Sequence, residues 1–278
     1  MLARVALAAA RAGLRGGISL VRNDVGRAIY LDKADPQAYR VLIRRGRLDR
    51  PAIALWRVLV RCLAPTVVLD VGCNYGEVVL SASYPPDCRV HCVEANGRVA
   101  RYLARSLWHG LPRAELVVAA ADRDAGHRFF VPSPSASGLG RVCDAPQPGG
   151  WQVASVRCDD LVRVGSADRL VFKIDVEGNE PRVLAGLSAS MRTAAAAAGI
   201  VEFFHLDRAQ KHELGAEHAV YAAGLDGTLL HRLDGSAIDA IFPAPGVVTP
   251  GYAKDVVLVT AGAQRLLDSV TAREPRRG

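Results

Sequence analysis

The sequence predicts an α/β fold built on a doubly wound, mostly parallel sheet. Three observations lead there. Five short runs after Pro65 are almost continuously apolar, which marks strands covered on both faces. Helical segments fall between several of them, and that alternation gives right-handed βαβ units. The chain has 278 residues, half of them apolar, enough for one large core domain with an appendage.

The elements follow in chain order. Asp35-Pro36 offers a helix cap and a first-turn proline, and Gly46 a stop. Pro51 then opens a second helix, AIALWRVLVRCL. Strands are expected at TVVLDVG, RVHCVEA, AELVVAAA, RLVFKIDV and GIVEFF. Helices are expected at EVVLSAS, GRVARYLARSLW, EPRVLAGL and DRAQKHELGAEHAVYAAG. Two late strands, TLLHRLD and DVVLVT, are expected to pair antiparallel at one edge. Val131 to Gly150 reads as one long Gly-, Pro- and Ser-rich loop, a functional lid or a disordered segment. The domain plan is a basic helical extension over 1–63, a core over 64–262, and a C-terminal helix and tail over 263–278.

Charge narrows the function classes. The net charge is +7. Up to Leu63 there are thirteen Arg and Lys against four Asp, a net +9, which leaves about −2 for the rest. Arg4, Arg11, Arg15 and Arg22 would share one stripe of a helix. That stripe allows weak contact with an anionic membrane surface, though a solvated basic face is the preferred reading. No zinc-finger spacing or RNA-recognition aromatic cluster occurs, so nucleic-acid binding is not expected. Neither a membrane span nor a secretory signal is evident, and a soluble, cytoplasmic protein is the expectation. Six cysteines without a C-x-x-C pair point to buried reduced thiols and no metal site.

The chemistry gathers at strand ends. The first strand runs into LDVGCNYGE, where Asp70, Gly72, Cys73, Asn74 and Gly76 form a strand-to-helix turn that admits close backbone approach. Glu94 ends the second strand eighteen residues after Gly76, placed to accept hydrogen bonds from ribose hydroxyls, with Ala95 and Asn96 beside it. Asp122, after the third strand, can reach an adenine amino group or simply start a turn. The pattern D-x-G-x-x-x-G lacks the third glycine of a dinucleotide fingerprint, and no phosphate-binding lysine motif is present. A cofactor with a ribose and an amino-acid tail fits better, and S-adenosyl-L-methionine is that molecule.

VVLDVGCNYGE, VEAN, CDDLV, VFKIDVEGNEPRVLAGL and VEF together resemble the FkbM family of S-adenosylmethionine-dependent methyltransferases, from about Val67 to Glu202. The resemblance implies a seven-stranded Rossmann-like methyltransferase sheet with one antiparallel edge strand. It also implies O-methylation of a hydroxyl on a sugar, glycolipid or secondary-metabolite acceptor. Cys73, Tyr75, Ala95 and Asn179 depart from the family's usual residues. Asp159 and Asp160 match its acidic pair, for which a loop cap is preferred over a metal ligand. Asp175 and Glu177 end the fourth strand on one face, and Asp175 is the first choice for general base or for orienting the acceptor hydroxyl. Glu177 can instead bind the cofactor ammonium or fix the turn, Lys173 can neutralise a carboxylate, and His205 is a second candidate base. Glu202 can line the acceptor side with it. Two alternatives remain: a nicotinamide-dependent oxidoreductase on a Rossmann sheet, and a catalytically inactive module that keeps the cofactor pocket.

Overall fold

The computed structural model describes residues 17–271 together with a two-residue strand at Arg4–Val5. Seven core strands are labelled in chain order: β1 (Val67–Val71), β2 (Arg89–Glu94), β3 (Glu115–Val118), β4 (Arg169–Ile174), β5 (Ala196–Glu202), β6 (Ala219–Gly224) and β7 (Tyr252–Val259). Their order in space is β3-β2-β1-β4-β5-β7-β6, and β7 alone among these seven runs antiparallel to its neighbours. This is a Rossmann-like, mostly parallel sheet. Strand order reverses between β1 and β4, so the crevice for a ligand opens at their carboxyl ends.

The unbroken apolar runs resolve into two packed faces. Val68, Val171, Ala198 and Ile200 join one core cluster, while Val67, Leu69, Leu170, Phe172 and Val201 join the other. Alternate residues of one strand thus serve opposite layers, and both layers are apolar. Helices α1 (Pro36–Ile43), α2 (Arg50–Leu63) and α3 (Gly97–Gly110) contribute to the first. Asp35 caps α1 through the Gln37 amide, Asp49 caps α2 through the Ala52 amide, and Asn96 caps α3 through the Arg98 amide.

Several expectations change. The N-terminal extension is not all helical, because Ile18–Arg22 and Ala28–Asp32 form a β-hairpin ahead of α1. Of the basic stripe, Arg11 and Arg15 lie outside the described residues, Arg4 is in the short strand and Arg22 is in the hairpin. EVVLSAS yields only a single 3-10 turn at Val79–Ser81, cut short by the Pro85-Pro86 pair that follows. The helix expected over Asp207 to Gly224 stops at Glu217, and AVYAAG becomes β6. DVVLVT therefore inserts between β5 and β6, and the strand Leu229–Leu233 pairs with β6 rather than with β7, which leaves β7 two places in from the edge of a nine-stranded sheet. The Val131–Gly150 segment is ordered: it holds a 3-10 turn at Ser137–Leu139 and the strand Arg141–Cys143. That strand belongs to a second, four-stranded sheet with Ala120–Ala121, Gly126–Val131 and Trp151–Val156. The C-terminal helix spans Ala261–Thr271, and the tail after it lies outside the described residues. No helix among the described residues is long and apolar enough to cross a membrane.

Candidate active site

A cavity of about 380 Å³ sits at the carboxyl ends of β1, β2 and β4, within the range of roughly 300–1,000 Å³ that small ligands occupy. Its floor is the glycine turn after β1. Gly72 has φ +77, and a Cβ there would collide with the carbonyl oxygen of Asp175. The turns after β1 and β4 touch backbone to backbone, so the closeness demands glycine. Gly72→Ala is expected to destabilise the fold by about 2 kcal/mol or more, read as a lowered midpoint in urea. Gly76, at φ +84, faces Leu103 of α3, whose Cδ1 would lie 2.7 Å from an added Cβ.

Glu94 closes the next side. Its two carboxylate oxygens accept from the Asn74 amide at 2.8 Å and the Asn96 amide at 2.7 Å. A carboxylate has roughly four acceptor sites, so this bracing leaves others open toward the cavity. Burial raises the Glu94 pKa against those two amides. Ala95 and the wall Ala119–Ala121 complete a slot of small side chains. Cys73 lines the turn while its thiol contacts the Asp70 carbonyl at 2.9 Å.

Charge is concentrated on the β4 side. Lys173 lies beside Asp70 in the β1–β4 register, and its ammonium is 3.1 Å from Asp175. Lys254, on β7, bonds Glu202 at 2.6 Å and stands 3.8 Å from Asp175. Burial alone would raise the Asp175 pKa, but the two lysines outweigh it and carry the group well below the usual carboxylate range. Asp175 is therefore an ion-pair member and a weak proton acceptor. Asp70 is buried with neither oxygen hydrogen-bonded. Burial lifts it to about 6, with Lys173 opposing and Asp175 adding to the rise.

Glu177 behaves differently. It lines the cavity, and its backbone is held at φ +57, a conformation a non-glycine residue keeps only where its surroundings impose it. Burial, then the like charges of Glu202 and Asp175, raise its pKa to about 7. His205 stands behind it, Nε2 to Oε2 at 2.9 Å, with Glu202 Oε2 3.8 Å away. These three groups bring one donor atom each within 4.8 Å, a spacing that can hold a cation. The direct Glu177–His205 contact and the Lys254 ammonium on Glu202 favour a proton-sharing cluster over a metal seat.

Asp122 does not join the site. It is fully buried, and its carboxylate accepts from Arg128 Nε at 2.6 Å and Arg182 Nε at 2.9 Å. Those arginines and the Arg123 amide overcome the burial and lower its pKa. The expected adenine contact gives way to a charge lock between the second sheet and the helix Glu180–Ala185. Asn96 likewise acts as a helix cap and is not among the lining residues. Asp159 caps the helix Ser188–Thr193 through the Ala189 and Ser190 amides. Glu180 accepts from the Val176 and Gly178 amides, fixing the turn after β4.

The N-terminal helices and the long loop complete the rim. Gln37, Arg40 and Asp49 come from the N-terminal helices, and Ser137 to Gly140 from the long loop. Asp35 ties them together: it accepts from the Gln37 amide, from the Ser137 amide at 3.2 Å and from the Tyr75 hydroxyl at 2.6 Å. The loop thus covers the cavity as a held lid.

Compared with known proteins, the chain matches no family model and no curated protein. Among solved structures it is similar to the O-methyltransferase TomG from Streptomyces achromogenes, a complex with S-adenosylmethionine, at 16% identity over 84% of this chain and 92% of that one, TM-score 0.41. A SAM-dependent methyltransferase from Agrobacterium tumefaciens matches at 10% identity over 89% and 71%, TM-score 0.45. An rRNA methylase from Streptococcus thermophilus matches at 12% identity over 76% and 96%, TM-score 0.39. The fold of this chain rests on its own strand order, not on these overlays.

Proposed function

We propose that the protein is an S-adenosylmethionine-dependent methyltransferase acting on a hydroxyl, and that Glu177 receives the hydroxyl proton. The observation that carries this reading is the pairing of two unlike carboxylates across one cavity. Glu94 is braced by two amides where a ribose would stand, and Glu177 is poised near neutrality where an acceptor would stand. The residues fit the cofactor: Asp70 offers an orphaned buried carboxylate for an ammonium, Gly72 keeps the turn open, and Ala119–Ala121 leave a flat slot.

When bound, the cofactor supplies an electrophilic methyl on a sulfonium. The protein's part is to hold the acceptor oxygen in line and to take its proton, because positioning contributes most to a displacement with a good leaving group. Lys173 and Lys254 keep Asp175 ionised, and His205 orients Glu177. The acceptor is taken from the sugar, glycolipid or secondary-metabolite hydroxyls that the family resemblance implies.

Calorimetric titration tests the cofactor half. Saturable binding of S-adenosylmethionine is expected in the wild type, and at least a tenfold loss in Glu94→Ala. The affinity is expected to fall as pH drops through about 6, because protonated Asp70 no longer attracts the ammonium, by up to tenfold per unit. Asp70→Asn removes that slope. Binding of NADH instead would favour the oxidoreductase alternative.

A further inference from the structure

The rim of the cavity carries a surface that methyl transfer does not require. Tyr39 and Ile43, four residues apart on α1, are 64% and 57% exposed. They share the outer side of a helix whose opposite side is buried at Ala38 and Val41. Arg40, Arg44, Arg45 and Arg50 are exposed around them, and none meets an acidic partner among the described residues. The two acids in this stretch are engaged: Asp35 is buried in its three hydrogen bonds, and Asp49 caps α2. Leu139, 51% exposed, is on the lid, and it lines the cavity together with Arg40.

We infer that α1 and the arginine-rich turn after it dock on an anionic membrane surface, with the cavity mouth at the rim of the contact. Two features in combination point to lipid. Uncompensated arginines at the end of an amphipathic helix are drawn to acidic headgroups. Unpartnered tyrosine and isoleucine between them suit the headgroup–acyl boundary, where an amphipathic ring and an apolar chain are both accommodated. A nucleic-acid backbone would use the arginines but leave Ile43 and Leu139 in water, so the lipid surface accounts for more of the rim. If the proposed transfer is also right, the hydroxyl acceptor reaches the cavity from the membrane plane.

Co-sedimentation of the full chain with vesicles tests this. Binding is expected to phosphatidylcholine vesicles containing phosphatidylglycerol and to be much weaker with phosphatidylcholine alone. Each basic residue at the surface is worth about fivefold in affinity, so Arg44→Glu with Arg45→Glu is expected to weaken binding by about 25-fold or more. Tyr39→Ser with Ile43→Ser is expected to abolish the part of the binding that survives raised salt. Both double variants should bind S-adenosylmethionine as the wild type does, which separates this outcome from failure of the cofactor site and from misfolding. The inference is overturned by equal binding to neutral vesicles, by wild-type binding in either double variant, by polyuridylate binding without vesicle binding, or by a dimer that Tyr39→Ser with Ile43→Ser dissolves.

Discussion

Lys173→Met is expected to destabilise the protein by about 3–5 kcal/mol at neutral pH, the usual consequence of stranding a buried charge by removing its partner. Lys173 is 4% exposed and lies between Asp70 and Asp175. Methionine keeps the chain length and removes only the ammonium. Lys254 still stands 3.8 Å from Asp175, but the Asp70 carboxylate accepts no hydrogen bond and relies on the nearby charge of Lys173. The pH dependence follows from the direction of each shift. Burial would lower the Lys173 pKa, yet Asp175 and Asp70 raise it, so its contribution is present throughout the working range and fades only far into alkali. Asp175 has a depressed pKa, so its ion pair stabilises the fold above the unfolded carboxylate value and is lost only in strong acid. Asp70 is raised to about 6, so it can shed its charge by taking a proton as the medium acidifies. Lys173 opposes that rise, so without it Asp70 takes a proton at still higher pH, and the penalty in Lys173→Met should shrink as the pH falls toward about 6 and stay small below it. Urea unfolding of both proteins at pH 5 and 7.5 measures it, and an equal penalty at the two values would break the link between Lys173 and Asp70.

Glu177→Gln is expected to slow methyl transfer by roughly 10²–10⁴-fold, the range for losing a positioned general base, while leaving cofactor affinity unchanged. Transfer of tritiated methyl from S-adenosylmethionine into a hydroxyl-rich lipid and glycan extract reads the rate. In the wild type the rate should rise with pH and level off above about 7, where Glu177 is ionised. The rise should vanish in Glu177→Gln. Glu202→Gln removes a like charge beside Glu177 and should move the midpoint below 7. His205→Ala leaves the carboxylate unoriented and should lower the plateau. An unchanged rate in Glu177→Gln would remove the residue from the chemistry.

The parts of this site that were legible in the sequence are short and local. The D-V-G turn, Glu94 and the K-I-D-V-E-G strand end each lie within one βα unit, so chain order alone brings them to the same sheet edge. Long-range partners were not legible. Lys254 reaches Glu202 across 52 residues, and only the insertion of β7 beside β5 puts it there. The choice between Asp175 and Glu177 as base was hidden for the same reason, since two lysines on different strands decide it. Composition misled at AVYAAG, where alanine favours helix in isolation but neighbouring strands impose extended backbone, and β5 begins at Ala196, ahead of the GIVEFF run expected for it. The second sheet escaped notice because its strands, GHRFFV and WQVASV, are half exposed and mixed in character. The ion pairs of Asp122 were not legible because its arginine partners, Arg128 and Arg182, come from other elements.

A crystal structure with S-adenosylhomocysteine bound tests the central claim most directly. The ribose hydroxyls are expected on Glu94, the amino-acid end beside Asp70 and Gly72, and the sulfur on the side of the cavity that Glu177 lines. The account is contradicted if the ligand lies instead in the groove of about 900 Å³ between the helices Ser188–Thr193 and Arg208–Glu217, or if it occupies the cavity with Glu94 turned away from the ribose.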